Sequence, residues 1–379
     1  ITYGLSGGSA DTSRAGYTHS RAGTYGTFYT NSTTGAYAYV IDDAAVEGAT
    51  STVTDTFTVS ASDGSAASTS DFVATINGVN DTPVLASISA ITLTDTSADD
   101  TFSATSASLS GTDRDSGASL SYAITGGYAD TSLSGFTQSS TGSYGTLYVN
   151  EDTGDYRFVP TDSAVEALTT TVSENFTLEV SDGTAVARQT LTTSIQGVND
   201  VPDLDVLSGV TLTDTSAVDT QNSVDGLASA SDRDTGDTIT YGLSGGSADT
   251  SVAGFTHSVT GTYGMILINS TSGAYRFLPN ANAIDGAITT TTESFTITAS
   301  DGSVIASTDL VTTVNGVDDT PILQSLDAIN IQDTNASDTF STATGTASGS
   351  NAETSQSTAF NITNGVSDTS VSGFTHSRA

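Results

Sequence analysis

Carboxylates recur in this sequence at spacings that suit a hard cation. Asn80-Asp81 is followed about thirty residues later by Asp113-Arg114-Asp115, and then by Asp182 in a Ser-Asp-Gly turn. The set returns as Asn199-Asp200, Asp232-Arg233-Asp234 and Asp301. Alternate residues of an extended chain share a side, so an Asp-x-Asp loop aims both carboxylates one way. Gly117 or Gly236 lets that loop fold around an ion. Oxygen ligands without His or Cys suit calcium, which takes about six to eight oxygens and tolerates irregular geometry. A single Asp-Gly turn needs no ion, because Asp caps its own backbone. Acidic sets that recur in phase in a chain this acidic point to one.

The phase is strict. Gly-Val-Asn-Asp-Thr-Pro at 78–83 returns as Gly-Val-Asn-Asp-Val-Pro at 197–202 and Gly-Val-Asp-Asp-Thr-Pro at 316–321, each offset being 119 residues with no insertion or deletion. Ser62-Asp63-Gly64 returns at the same interval as Ser181-Asp182-Gly183 and Ser300-Asp301-Gly302. A period this long is one small domain, not one coil of a solenoid. Pro cannot donate into a central ladder and holds the next residues extended, so Gly-Val-Asn-Asp-x-Pro reads as a linker. The sequence then predicts four units: a partial repeat at 1–82 without its opening strands, complete repeats at 83–201 and 202–320, and a partial repeat at 321–379 without its closing strands.

The elements that must position these acids are strands. Phe176, Leu178 and Val180 alternate with Thr177 and Glu179 until Asp182-Gly183 stops the run, and Phe57, Val59, Ala61 and Phe295, Ile297, Ala299 repeat the pattern. Tyr156 and Phe158 flank Arg157 in a second alternating run after the turn Asn150-Glu151-Asp152-Thr153-Gly154, and Gly145 ahead of it marks a bulge. No segment of ten residues has helical periodicity. Short strands with Gly, Ser, Asn and Asp turns predict an all-β tandem array, each complete unit a seven- or eight-stranded antiparallel sandwich of Ig-like type.

Composition limits the partners. Asp and Glu number 43 against 8 basic residues, all Arg, for a net charge of −35, which opposes nucleic-acid binding and attraction to anionic lipid. Lys, Cys and Trp are absent, removing Schiff-base chemistry, P-loops and disulfide staples. No apolar run is long enough to insert in a membrane. His19, His257 and His376 share one phase where Gln138 stands in another copy, which argues against a catalytic role, and no Ser sits in a nucleophile elbow. An enzyme is not expected.

Gly-Thr-Tyr-Gly, a hairpin, Gly-x-Tyr-x-Phe, then Ser-Asp-Gly and Gly-Val-Asn-Asp-x-Pro resembles the VCBS repeat of large bacterial surface adhesins, at 23–83, 142–202 and 261–321. The preceding Asp232-Arg233-Asp234 loop with Thr238-Ile239-Thr240-Tyr241, and Asn-Asp-x-Pro, are similar to cadherin repeats. The resemblance implies cadherin-like sandwiches that share calcium ions at their junctions. One junction would use Asn80, Asp81, Asp113, Asp115 and Asp182 with Glu47 or Asp55 as base acids. The next would use Asn199, Asp200, Asp232, Asp234 and Asp301 with Glu166 or Glu174. A third keeps Asp318 and Asp319 but has Asn351-Ala352-Glu353 in place of Asp-Arg-Asp, which predicts weaker binding there.

These features lead to an extracellular, calcium-stabilised structural or adhesive stalk of a bacterial surface or biofilm-matrix protein. Its partners would be neighbouring repeats of the same or identical chains, and cell-surface or matrix polysaccharide. Two alternatives stand beside it: a subunit of a self-assembling filament or sheath joined by strand complementation between terminal half-domains, and a carbohydrate-binding module, which the lack of Trp disfavours.

Overall fold

The computed structural model describes residues 1–353 and 356–378. They fall into two compact units divided between Asn199 and Asp200. Among the described residues, no helix is long and apolar enough to cross a membrane.

In the first unit, residues 84–196 supply strands β1 (Val84–Leu85), β2 (Ile91–Thr94), β3 (Thr105–Ser108), β4 (Gly111–Thr112), β5 (Ser121–Ile124), β6 (Tyr128–Ala129), β7 (Gln138–Thr141), β8 (Gly145–Val149) and β9 (Asp155–Pro160). The one-turn helix α1 (Asp162–Val165) precedes β10 (Val172–Ser181) and β11 (Val186–Gln196). They build a four-stranded sheet in the order β5-β10-β11-β2, a five-stranded sheet in the order β3-β9-β8-β7-β6, and a β1-β4 ribbon. The alternation seen in the sequence fills the space between the sheets. Phe176, Leu178 and Val180 of β10 meet Tyr156 and Phe158 of β9, with Leu147, Val149, Leu191 and Ile195 completing the core. The Phe158 and Phe176 rings lie 5.9 Å apart at 58°, a favourable tilted contact.

Three details differ from the sequence expectation. The sandwich has nine strands in its two sheets, and one pair is parallel: β2 runs beside β11 with Ile91 opposite Thr193 and Thr94 opposite Gln196. After pairing with β4, the chain continues along the β11 edge in the same direction as β11, and Ile91 and Leu93 are buried there. Gly145 is not a bulge. Its register with β9 is unbroken, from Gly145 opposite Pro160 to Val149 opposite Tyr156. A Cβ at Gly145 would stand 2.4 Å from the Phe158 ring and 2.6 Å from the Val159 carbonyl; the glycine makes room for an aromatic ring.

The second unit repeats this at an offset of 119 residues. Val210–Thr213 pairs in parallel with Ile305–Asn315, which continues through Thr290–Ser300 to Thr240–Leu243. The facing sheet runs Val224–Leu227, Ala274–Pro279, Gly264–Ile268, His257–Thr260 and Ser247–Ala248. Farther along, Ile322–Leu323 pairs with Gly349–Ser350, and Val366–Ser367 with His376–Ser377. At the start of the first unit, residues 2–77 form a three-stranded and a four-stranded sheet around Leu5, Phe28 and Phe57.

Gly145→Ala is expected to destabilise the 84–196 sandwich by about 1–3 kcal/mol through overpacking. In a Phe158→Ala background the penalty should shrink, because the ring that excludes the methyl is gone. Denaturant unfolding of the four members of this cycle measures both effects. Equal penalties in the two backgrounds would remove the ring as the cause.

Candidate metal centres

Strand ends bring one group of acids together. Asp95 follows β2, where its amide donates to the Gln196 carbonyl and its carboxylate accepts from the Val198 amide at 3.1 Å. The next loop closes when Asp100 accepts from the Thr96 amide at 2.7 Å. Glu166, carried in at the end of α1, accepts from the Asp100 amide at 3.1 Å. Carboxylate oxygens of Asp95, Asp100 and Glu166 all lie within 4.8 Å of one another. The second unit repeats the arrangement with Asp214, Asp219 and Asp285. There Asp214 accepts from Val317 at 3.0 Å, Asp219 from Thr215 at 2.6 Å and Asp285 from Asp219 at 2.9 Å. Of these six, sequence reasoning had named only Glu166. The signal was present: Thr-Asp-Thr-Ser-Ala-x-Asp occupies 94–100 and 213–219, and Asp333 and Asp338 keep the phase.

The Asp-x-Asp loops form a second kind of set. The Asp81 amide donates to the Asp115 carboxylate at 2.9 Å, and the Asp200 amide to Asp234 at 2.6 Å. Within each loop the first acid accepts from the second residue's amide, Asp113 from Asp115 at 2.8 Å and Asp232 from Asp234 at 3.0 Å. Gly117 and Gly236 take φ of +79° and +99°, the left-handed turn that lets the loop close. Oxygens of Asp113, Asp115 and Asp182 come within 4.8 Å of one another, as do those of Asp232, Asp237 and Asp301. Asp237 had not been foreseen. Asp182 combines the turn-forming and the ligand reading: one oxygen accepts from the Thr184 and Ala185 amides and the other from Asn80 at 2.9 Å. These bonds hold its carboxyl below the usual range, the Ala185 amide contributing most. Asn199 ends the first unit, half-buried.

In the third set Glu353 takes the place that Asp115 and Asp234 hold, accepting from the Asp319 amide. Its longer side chain is buried, and Asn351 stands where the loop's first Asp would be, its buried amide oxygen without a hydrogen bond. Asp318 is exposed and accepts from the Gln356 side chain at 2.5 Å.

The acids offered as base ligands separate. Glu166 joins Asp95 and Asp100, and Glu47, at the same phase, ends the helix Asp43–Glu47 with its side chain exposed. Asp55 and Glu174 sit in neither kind of set. Asp55 accepts from the Thr24 and Tyr25 amides at 3.0 and 2.8 Å and from the Tyr39 hydroxyl at 2.9 Å. Glu174 accepts from Ser143 at 2.5 Å and Tyr144 at 3.4 Å. The side chain faces a hairpin turn whose amides converge on it, so its lone pairs are used there. Burial raises the Asp55 pKa, but the Tyr25 and Thr24 amides, Tyr39 and Arg21 outweigh it and hold the carboxyl below its ordinary value. Tyr39 is pushed up to about 12, by burial first and Asp55 second.

Electrostatics set Asp319 and Asp214 apart from such structural acids. Asp319 is 6% exposed, and neither of its carboxylate oxygens has a hydrogen-bond partner. Burial, and then the charges of Asp285, Asp214, Glu353 and Asp219, push its pKa up. Asp214 is also raised, by burial first and then by Asp285 and Asp219, against the pull of the Val317 amide. One buried oxygen each of Asp95, Asp113, Asp115, Asp214, Asp232 and Glu353 is likewise without a hydrogen bond. Buried carboxylates with unused lone pairs and like-charged neighbours are costly unless a cation joins them.

Because Asp319 and Asp214 have folded pKa values above their unfolded ones, the folded state binds more protons between the two values. Without metal, the stability contribution of these groups therefore falls as pH rises from about 4, the unfolded carboxylate range, through the raised pKa. Thermal unfolding in chelator from about pH 4 to 7 should show this decline, and Asp319→Asn should flatten it. An unchanged slope in Asp319→Asn would contradict this electrostatic reading.

No family model matches the chain, and no curated protein matches it. Solved structures similar to it are cadherin extracellular domains. Protocadherin Gamma B2 domains 1–5 are 18% identical with a TM-score of 0.33, over 84% of this chain and 53% of that one, so the chain spans about half of that structure. Mouse protocadherin-24 EC1-3 is 15% identical with a TM-score of 0.29, covering 84% of this chain and 90% of that one. Drosophila N-cadherin EC1-4 is 15% identical with a TM-score of 0.24, covering 85% and 67%. At these scores the fold assignment rests on the strand pairing described above, not on the likenesses.

Proposed function

We propose that this chain is a calcium-stiffened stalk of an extracellular structural or adhesive protein, of the kind found on bacterial surfaces or in biofilm matrix, with a mechanical and not a catalytic role. The observation that carries the reading is Asp319, buried with both oxygens unpartnered beside the charges of Asp214, Asp219, Asp285 and Glu353. Two carboxylates about 4 Å apart repel by roughly 4 kcal/mol at an effective dielectric near 20. A divalent ion reverses the sign of that interaction, and oxygen-only donors of this number fit calcium. Asp214, Asp219, Asp285, Asp319 and Glu353 would hold it in the second unit. Asp95, Asp100 and Glu166 would form the corresponding base in the first, beside Val198, and Asp81, Asp113, Asp115, Asp182 and Asn80 would line the separate junction at residues 80–82. Because linker, loop and base acids come from successive parts of the chain, the ion would fasten one repeat to the next. Other copies of the chain and cell-surface or matrix polysaccharide are the partners such a stalk would meet.

Calcium at about a hundred times its dissociation constant should raise stability by roughly 2.7 kcal/mol per site. Chelation should therefore lower the melting temperature and shorten the maximum dimension in solution scattering; no change in either would defeat the calcium assignment. Asn351 gives the third set one charge fewer at its loop than Asp113 or Asp232 gives theirs. The set around Asp319 is accordingly expected to bind several-fold more weakly, and Asn351→Asp to tighten it, in calorimetric titration of the full chain. An unaltered weakest affinity in Asn351→Asp would count against this loop position as a ligand.

A further inference from the structure

The outward face of the five-stranded sheet at 84–196 carries one row of side chains that the second unit alters. Strand register sets Ser106 of β3, Arg157 of β9, Tyr148 of β8, Ser139 of β7 and Tyr128 of β6 side by side across the sheet. Arg157 lies between Tyr156 and Phe158, which face the core, so the row faces away from it. At a strand spacing of about 4.8 Å, Arg157 and Tyr128 stand roughly 14 Å apart. In the second unit the same register reads Asp225, Arg276, Leu267, Ser258 and Ser247.

The two arginines differ in what they meet. Arg276 donates to both oxygens of Asp225, from Nε at 2.5 Å and from Nη2 at 2.8 Å, and its guanidinium lies 5.3 Å from the centre of the Phe255 ring. Ser106 offers Arg157 no carboxylate at that place, and the Nε of Arg157 is buried without a hydrogen bond among the described residues. A charged donor left without an acceptor is costly, and two-point pairing with a carboxylate is the contact that a guanidinium forms best. Asp155, two residues along β9, is engaged by Ser108 at 2.5 Å and by Thr153 at 2.8 Å. The aromatic members differ too. Tyr148 packs on Phe136 with ring centres 6.1 Å apart, and Tyr128 is 55% exposed with its hydroxyl 3.1 Å from that of Thr141.

We propose that this row binds a carboxylate-bearing sugar, with Arg157 pairing the carboxylate in the place that Asp225 fills beside Arg276, and Tyr148 and Tyr128 receiving the rest of the saccharide along the row. Tyrosine presents an apolar ring and a polar tip, which suit the CH face and the hydroxyls of a pyranose. Ser139, between the two tyrosines, is buried and donates to Asp130 at 2.7 Å, so the contacts come from the rings and the guanidinium. Asp130 and the net charge of −35 oppose a densely charged polymer. The ligand is therefore a saccharide with isolated uronate residues among neutral ones, and in physiological salt repulsion from distant acids is screened beyond about 8 Å. Such a site would serve the polysaccharide partner named above, a reading on which it rests; it does not rest on calcium.

Calorimetric titration of the 379-residue chain with a disaccharide of glucuronate and a neutral sugar, in calcium and in chelator, is the test. Binding is expected in both conditions, and the methyl ester of the same sugar, which lacks the charge, should bind about tenfold more weakly or worse. Ser106→Asp supplies the acid that the second unit already carries at this register, and it should likewise cost about tenfold or more in affinity. Tyr128→Ser, also the second unit's residue, should weaken binding several-fold without moving the melting temperature. No binding by the native chain, or equal binding by Ser106→Asp, would overturn the proposal. Binding that vanishes in chelator while the β signal in circular dichroism persists would place the uronate on a calcium ion, and would overturn it as well. Self-association that Ser106→Asp abolishes, with no sugar bound, would assign the guanidinium to a carboxylate of a second copy instead. Sugar binding that survives in chelator with an unchanged melting temperature would defeat the calcium reading and leave this site standing.

Discussion

Carboxylates that converge at the ends of strands repel one another, and much of the local architecture holds them together despite that repulsion. Asp214 and Asp285 are buried, and Asp319 sits near them with no hydrogen bond to either of its oxygens. Backbone amides do part of the work. Val317 binds Asp214, Thr215 binds Asp219, and Asp219's own amide binds Asp285. Each amide offers a partial positive charge, too small to neutralise a full negative one. What remains is a directed deficit of positive charge, placed where one repeat passes to the next. A cation is the simplest species that supplies it without adding bulk.

The sandwich provides the rigidity this arrangement needs. Asp95 and Asp214 are fixed because the strands before them are packed by Ile91 and Leu93, or by Val210 and Leu212, against a close-packed core. Glu166 and Asp285 are fixed by a short helix whose inward residue, Val165 or Ile284, is fully buried. Other acids of the same chain serve the fold. Asp55, Glu174 and Glu293 each bind two converging amides of a hairpin turn. Turn amides thus occupy the oxygens of Asp55, Glu174 and Glu293, whereas neither oxygen of Asp319 accepts a hydrogen bond.

The array and the β-fold were legible because both depend on periodicity. A constant interval of 119 and a two-residue alternation at Phe176–Val180 are properties of the string itself. The loop acids were legible too, since Asp113 and Asp115 lie two residues apart. The base acids were harder. Asp95 and Glu166 are 71 residues apart in sequence and meet only because β2 pairs with the edge of β11. Nothing local announces that pairing, and the short alternation of Ile91-Thr92-Leu93-Thr94 is compatible with either sheet. Glu174 misled for the opposite reason, being an acid at the foot of a core strand whose partners, the Ser143 and Tyr144 amides, come from a turn. Gly145 shows the same limit: a glycine in a strand signals close approach as readily as a bulge, and only packing distinguishes the two.

The parallel pairing of β2 with β11 also decides how a repeat bears load. These strands lie near its entry and exit, side by side and running the same way, with four facing residue pairs from Ile91–Thr193 to Thr94–Gln196. Pulling the two ends of the repeat apart drives the strands past each other along their length. Every hydrogen bond of the ladder is then strained at once instead of opening one at a time, as it would in a hairpin pulled from its free ends. The four facing pairs therefore resist such tension together.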